Sequence, residues 1–117
     1  MSDIYTIEFD PSKLSYQHEE LGMTFADLDT ACELMKKEEK MIIAELTVYY
    51  SRKGGYKNMT ELNGLIYSDN KFKDYFDRYE RTLKERNRAK IRFESFKAFR
   101  DDLRTKVVNE RELAKHL

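Results

Sequence analysis

Between residues 25 and 49 the apolar side chains Phe25, Leu28, Ala31, Cys32, Met35, Met41, Ile42, Leu46 and Tyr49 recur mostly in steps of three and four. That rhythm sets them along one face of a helix and predicts a first helix over 24–50. Thr24 or Asp27 suits its cap, and Asp27 and Asp29 sit where the helix dipole is positive. Lys36, Lys37, Glu39 and Lys40 form a solvated face. The pair Gly54-Gly55 ends the helix, inside a loop that runs from Ser51 to Lys57. With Asn58 or Thr60 as cap, a short helix comes next over 58–67. Ser68-Asp69-Asn70 opens a third element, and no Gly or Pro then appears as far as His116. One helix over 69–116 is the expectation, up to about 70 Å long at about 1.5 Å per residue. The rest of the chain is too short to cover such a helix, so it packs against copies of itself, or bends or breaks near its middle.

Two apolar seams mark this long helix. Phe72, Phe76, Tyr79 and Leu83 step by four, three and four, as a heptad does. Continuing that seam meets Arg86 and Lys90, which are polar. A second seam then appears at Ala89, Phe93, Phe96, Leu103 and Val107. Phe72, Phe76, Tyr79 and Leu83, with Phe93, Phe96, Leu103 and Val107, are the expected oligomer interface. The first stretch, residues 1–22, reads as an N-terminal arm. Ile4, Thr6 and Glu8 alternate there with Tyr5, Ile7 and Phe9, the pattern of a short strand or an ordered arm. A lone strand needs a partner chain or the helices to dock on. The fold class is all-α: a small helical domain with one long C-terminal helix and coiled-coil-like self-association.

Length and composition agree with a single helical domain. The chain has 117 residues, one proline and four glycines, and 38% of it is charged; so few breakers leave room for long elements. Fifteen aromatics supply area worth burying, which argues against disorder. Cys32 is alone, so no intrachain disulfide forms, as suits a reducing compartment. No signal-peptide pattern and no apolar run long enough for a membrane span is visible. The expected location is the cytoplasm, the host's if the chain is phage-encoded, with no membrane partner.

The net charge is zero, but residues 1–50 hold eleven acids and four bases, and residues 70–117 hold fifteen bases and nine acids. Either the basic half meets a polyanion, or acidic and basic halves pair between copies. The plain alternative is solvated helix faces. Between Arg81 and Arg92 there are six bases and one acid. Lys84, Arg86, Arg88, Lys90 and Arg92 fall at alternate positions, so on a helix they spread around most of the surface rather than framing an apolar face. That suits phosphate contacts, which are salt-sensitive and blind to sequence. Phe93, Phe96 and Phe99 come directly after; such aromatics either stack single-stranded bases or belong to the core. Arg52, Lys53 and Lys57, around the glycine pair, form a second candidate.

No catalytic constellation is present. The two histidines, His18 and His116, have no metal-ligand spacing to Cys32 or to carboxylates, and Gly54-Gly55 lacks the pattern of a phosphate loop. No cofactor and no metal is expected, and the chain reads as a binding protein rather than an enzyme.

The stretch Phe9-Asp10-Pro11-Ser12-Lys13-Leu14-Ser15-Tyr16 precedes a long helix that ends in Tyr49-Tyr50-Ser51-Arg52-Lys53-Gly54, and then come a short segment and a long C-terminal helix. This order resembles the UvsY family of tailed-phage recombination mediators. The resemblance implies a small helical protein that assembles into rings and binds single-stranded DNA. It also implies one that helps load a RecA-like recombinase onto strands coated by a single-strand-binding protein. In that family, basic residues just before the Tyr-Tyr pair help bind DNA. Here Ala44-Glu45-Leu46-Thr47-Val48 stands in their place, so the expected contacts move to Arg52, Lys53, Lys57 and the long helix. The alternative is a phage accessory helical protein that grips a host or phage protein and has no nucleic-acid role.

Overall fold

The computed structural model describes residues 13–116, and all its regular elements are helices. Helix α1 spans Leu14–Lys53, α2 spans Met59–Ser68 and α3 spans Asn70–Lys115. The alternation of residues 4–9 lies outside the described residues. Residues 14–22 are not part of an arm but form the first turns of α1, so this helix starts ten residues earlier than its apolar face had suggested. Leu14, Leu21, Leu28, Met35 and Ile42 stand seven apart and none of them is exposed, a repeat that keeps one stripe on one face as far as Ile42.

The breaks fall where the local chemistry demands them. Gly54 and Gly55 take φ values of 75° and 90°, a conformation that costs a residue with a Cβ. The Gly54 N–H donates to the Tyr50 carbonyl at 2.9 Å and closes the end of α1. Asn58 caps α2: its Oδ1 accepts from the Glu61 N–H at 2.9 Å, while Glu61 Oε2 accepts from the Lys57 N–H at 2.7 Å. Asp69 separates α2 from α3. One of its oxygens accepts from the Lys71 N–H at 2.8 Å and the other from the Tyr50 hydroxyl at 2.6 Å. The hydroxyl and the amide hold the Asp69 carboxyl below its ordinary range, and the carboxylate in turn raises the Tyr50 phenol.

The chain divides into two compact units. The mid-chain unit, residues 28–85, is built around Ile42, Leu46, Leu62, Ile66 and Tyr75. Tyr75 is 1% exposed, and its hydroxyl donates to the Met35 carbonyl at 2.7 Å. Burial, then the charge of Glu39, pushes its phenol up to about 12. Arg78 pairs with Glu38 at 2.7 Å and Lys71 pairs with Glu45, so α3 ascends as α1 descends and the two run antiparallel here. Both pairs are half-exposed and add little stability; they report register more than they enforce it.

The second unit joins residues 1–27 to residues 86–117. Its described part has Phe96, fully buried, and Ala89 at its centre. The Phe93 ring lies 5.1 Å from that of His18 and 6.2 Å from that of Phe25. Gly22 provides the room, since a Cβ there would stand 3.1 Å from Phe93 Cε2. Gly64 in α2 is the opposite case, with nothing within 4 Å of the place a Cβ would take. Gly64→Ala should therefore raise stability by roughly 0.5–1 kcal/mol through helix propensity. Gly22→Ala should return less than that or destabilise, because Phe93 must move. Urea midpoints of the two variants against the parent chain check both.

Candidate nucleic-acid interface

On α3 the protected positions of the mid-chain unit are Phe72, Tyr75, Tyr79 and Thr82, with Leu83 beside them. Those of the second unit are Arg86, Ala89, Phe93, Phe96, Arg100 and Leu103, with Phe99 beside them. Each set steps by three and four. Two expectations change as a result. The first seam turns inward through Tyr75 rather than Phe76, which is 45% exposed. The basic segment is also no gap in the seam. Arg86 is half-buried, its guanidinium carbon 5.3 Å from the centre of the Phe25 ring, and its stem continues the packed face into Ala89.

The eight expected interface residues are therefore mostly committed inside one chain. Phe72 and Tyr79 pack on the mid-chain core. Phe96 has no exposed surface and is closed to a second copy or to a stacking base, while Phe93 is half-buried and rests on Gly22. Leu83 and Leu103 are half-buried. Phe76 and Val107 are the two that remain exposed. A heptad pattern that reads as a seam between copies is here, within each unit, the seam between α1 and α3.

The basic residues divide between the units. Arg86, Arg88, Lys90 and Arg92 belong to the second; Arg52, Lys53, Lys57 and Lys84 belong to the first. Arg88, Lys90 and Arg92 are exposed, and no carboxylate pairs with them among the described residues. Some bases elsewhere do pair: Lys36 with Glu33, Lys71 with Glu45, Arg78 with Glu38, Lys115 with Glu112. Arg88, Lys90 and Arg92 thus point three cations to solvent within little more than one helical turn.

In the mid-chain unit, Arg52 and Lys53 occupy the last turn of α1 and are exposed. Lys53 Nζ lies 5.8 Å from the centre of the Tyr49 ring. Tyr49 is 55% exposed and meets Tyr50 edge to face with ring centres 5.0 Å apart. This gives an open aromatic face beside two cations, the combination that stacks an unpaired base while holding its phosphate. From sequence alone Tyr49 reads as part of the apolar face of α1 and not as a site residue. The signal for it lay in Arg52 and Lys53, three and four residues on, which a helix brings alongside.

The charge asymmetry along the sequence disappears in the fold. Residues 28–85 hold eleven acids and eleven bases, and the remainder of the chain holds the same numbers. Antiparallel pairing sets the acidic helix beside the basic one within a single chain, so each unit is neutral by composition. Attraction for a polyanion then rests on local clusters of unpaired bases and not on a general positive field.

Among the described residues no group of three His, Cys, Asp or Glu side chains is placed to hold a metal ion, and no helix is long and apolar enough to cross a membrane. Cys32 is a free, buried thiol. Comparison with protein-family models, with curated proteins and with solved structures finds no match.

Proposed function

We propose that this chain is a non-enzymatic protein that binds single-stranded DNA through its phosphates and works as an oligomer. Its role would be that of a recombination mediator that helps load a RecA-like recombinase onto strands held by a single-strand-binding protein. The observation that carries the binding part is the trio Arg88, Lys90 and Arg92, exposed and without carboxylate partners among the described residues. Tyr49 with Arg52 and Lys53 supplies an exposed aromatic platform beside two of the candidate bases. The mediator role rests on the segment order shared with the UvsY family. Self-association would use surfaces left exposed, since Phe96 is buried inside the chain.

The test is titration of a labelled oligonucleotide over a salt series, with the solution mass measured alongside. If three to five phosphates are engaged, the logarithm of the association constant should fall with the logarithm of salt with a slope of about −2 to −3.5. Absence of binding at low salt would overturn the proposal.

A second reading has its own observation. Leu34, Met41 and Val48 stand seven apart on α1 and are each at least half exposed, which favours a helical protein that grips another protein without a nucleic-acid role. A chain that ignores DNA yet forms a defined complex through this stripe would support it.

A further inference from the structure

The second unit carries a hollow of about 420 Å³ where α1 begins. Arg100, Leu103, Arg104, Val107, Val108 and Arg111 of α3 line it. These positions recur at the three- and four-residue steps of one helical face. Leu14, the first residue of α1, borders the same hollow. Leu103 is the last protected position of α3 among the described residues. The apolar face does not stop there, because Val107 and Val108 continue it at 39% and 50% exposure. Arg104 and Arg111, on the same face, are exposed too.

Charge marks this face as strongly as its valines do. Three guanidinium groups line the hollow, and no carboxylate does among the described residues. Arg100 is half-buried, and its Nε is buried with no hydrogen-bond partner among the described residues. That is a costly state for a charged donor unless an acceptor completes it. The first turn of α1 beside it holds no acid, so the positive end of that helix dipole adds to the guanidinium charge.

An occupant must therefore be acidic and apolar at once. A nucleic-acid strand would meet the arginines but leave the valines uncovered, and no aromatic ring lines the hollow to stack a base. A fatty acid would cover the valines but brings a single anionic group. The eleven residue steps from Arg100 to Arg111 span about 16 Å of helix, so the guanidinium groups call for several anions in a row. An extended peptide matches that length with about five residues at about 3.3 Å each.

We infer that this face of α3, from Arg100 to Arg111, is a docking site for a short segment of a partner protein that carries both carboxylates and large apolar side chains. The partner's carboxylates pair with Arg104 and Arg111 and complete Arg100 Nε, where guanidinium–carboxylate geometry gives strong, oriented bonds. Its apolar side chains cover Leu103, Val107 and Val108. The inference goes beyond the nucleic-acid reading, which rests on other bases, and either can fail without the other.

The test is an NMR titration of the isotope-labelled full chain with three short synthetic peptides. One is made of glutamate and leucine, one of glutamate and serine, and one of lysine and leucine. The first should shift the amide signals of residues 100–111 saturably. The second should bind about tenfold more weakly, since it leaves the apolar face uncovered, and the third should leave those signals in place. The exposed pairs Arg104→Gln with Arg111→Gln, and Val107→Ser with Val108→Ser, should each weaken the glutamate–leucine peptide by roughly five- to tenfold. Oligothymidylate, titrated separately, should leave residues 100–111 unshifted. Three outcomes overturn the inference. The glutamate–leucine peptide leaves residues 100–111 unshifted; the glutamate–serine peptide binds equally well, which reduces the site to bare anion attraction; or oligothymidylate saturates the same residues more tightly than any peptide, which assigns the face to nucleic acid.

Discussion

Replacing Phe96 by alanine is expected to cost about 3–5 kcal/mol and to loosen the unit built from the two ends of the chain. Phe96 is 0% exposed, and among the described residues of that unit Ala89 is the other buried side chain. The hole left behind has few large neighbours to refill it, with Phe93 pinned on Gly22 and the His18 ring 6.0 Å away. A small domain has on the order of 5–15 kcal/mol of total stability, so the loss is a large share of it. The mid-chain unit has its own core of Ile42, Leu46, Leu62, Ile66 and Tyr75. Native-state hydrogen exchange should therefore show residues 14–27 and 86–103 losing protection in Phe96→Ala while residues 28–85 keep more of theirs. Equal loss everywhere would show that the units unfold as one.

The second large effect concerns binding. Reversing Arg88, Lys90 and Arg92 together to glutamate should leave the fold intact, because all three are exposed and none has a carboxylate partner among the described residues. Oligonucleotide affinity at low salt should fall by roughly 100-fold or more. The salt slope should flatten by about 2, as three phosphate contacts are lost. Reversal of Arg86 would not be an equivalent test, since its guanidinium lies over Phe25 and its stem is packed. Replacement of Tyr49 by alanine separates stacking from charge: affinity should drop with the salt slope unchanged. An affinity untouched by the triple reversal would move the interface away from α3.

The helical class, the glycine break after α1 and the Asn58 cap were all legible, because each depends on residues close in sequence. The start of α1 was hidden by Gly22, which reads as a poor helix residue until Phe93 is known to occupy the space beside it. The sevenfold spacing of Leu14, Leu21, Leu28, Met35 and Ile42 was the available clue. The choice of inward face on α3 was not legible. Phe72 is followed by aromatics at both the third and the fourth position, Tyr75 and Phe76, and either continues a heptad. Only the partner helix, through the Met35 carbonyl that takes the Tyr75 hydroxyl, decides between them. The same ignorance of the partner made an intrachain seam look like one between copies. At the candidate site the exposed cations were readable from their alternate spacing, which no single packed face can absorb. The committed role of Arg86 and the availability of Tyr49 depend on neighbours that a one-dimensional pattern does not contain.

The antiparallel pairing also sets an order of assembly. The Tyr50–Asp69 and Tyr75–Met35 bonds close loops of 19 and 40 residues, whereas His18 and Phe93 differ by 75 in number. From the unfolded chain, closing the loop of 75 in place of the loop of 19 costs about 1.2 kcal/mol more. Once the mid-chain turns have formed, however, the two strands of chain leaving them are already side by side. Each further heptad then joins across a gap of a few residues. Pulse-labelled hydrogen exchange during refolding should thus protect amides around residues 42–50 and 62–75 first and those around residues 14–22 and 93–103 last. Growth of this kind, within each unit, behaves as a zipper that starts from its first closed contacts.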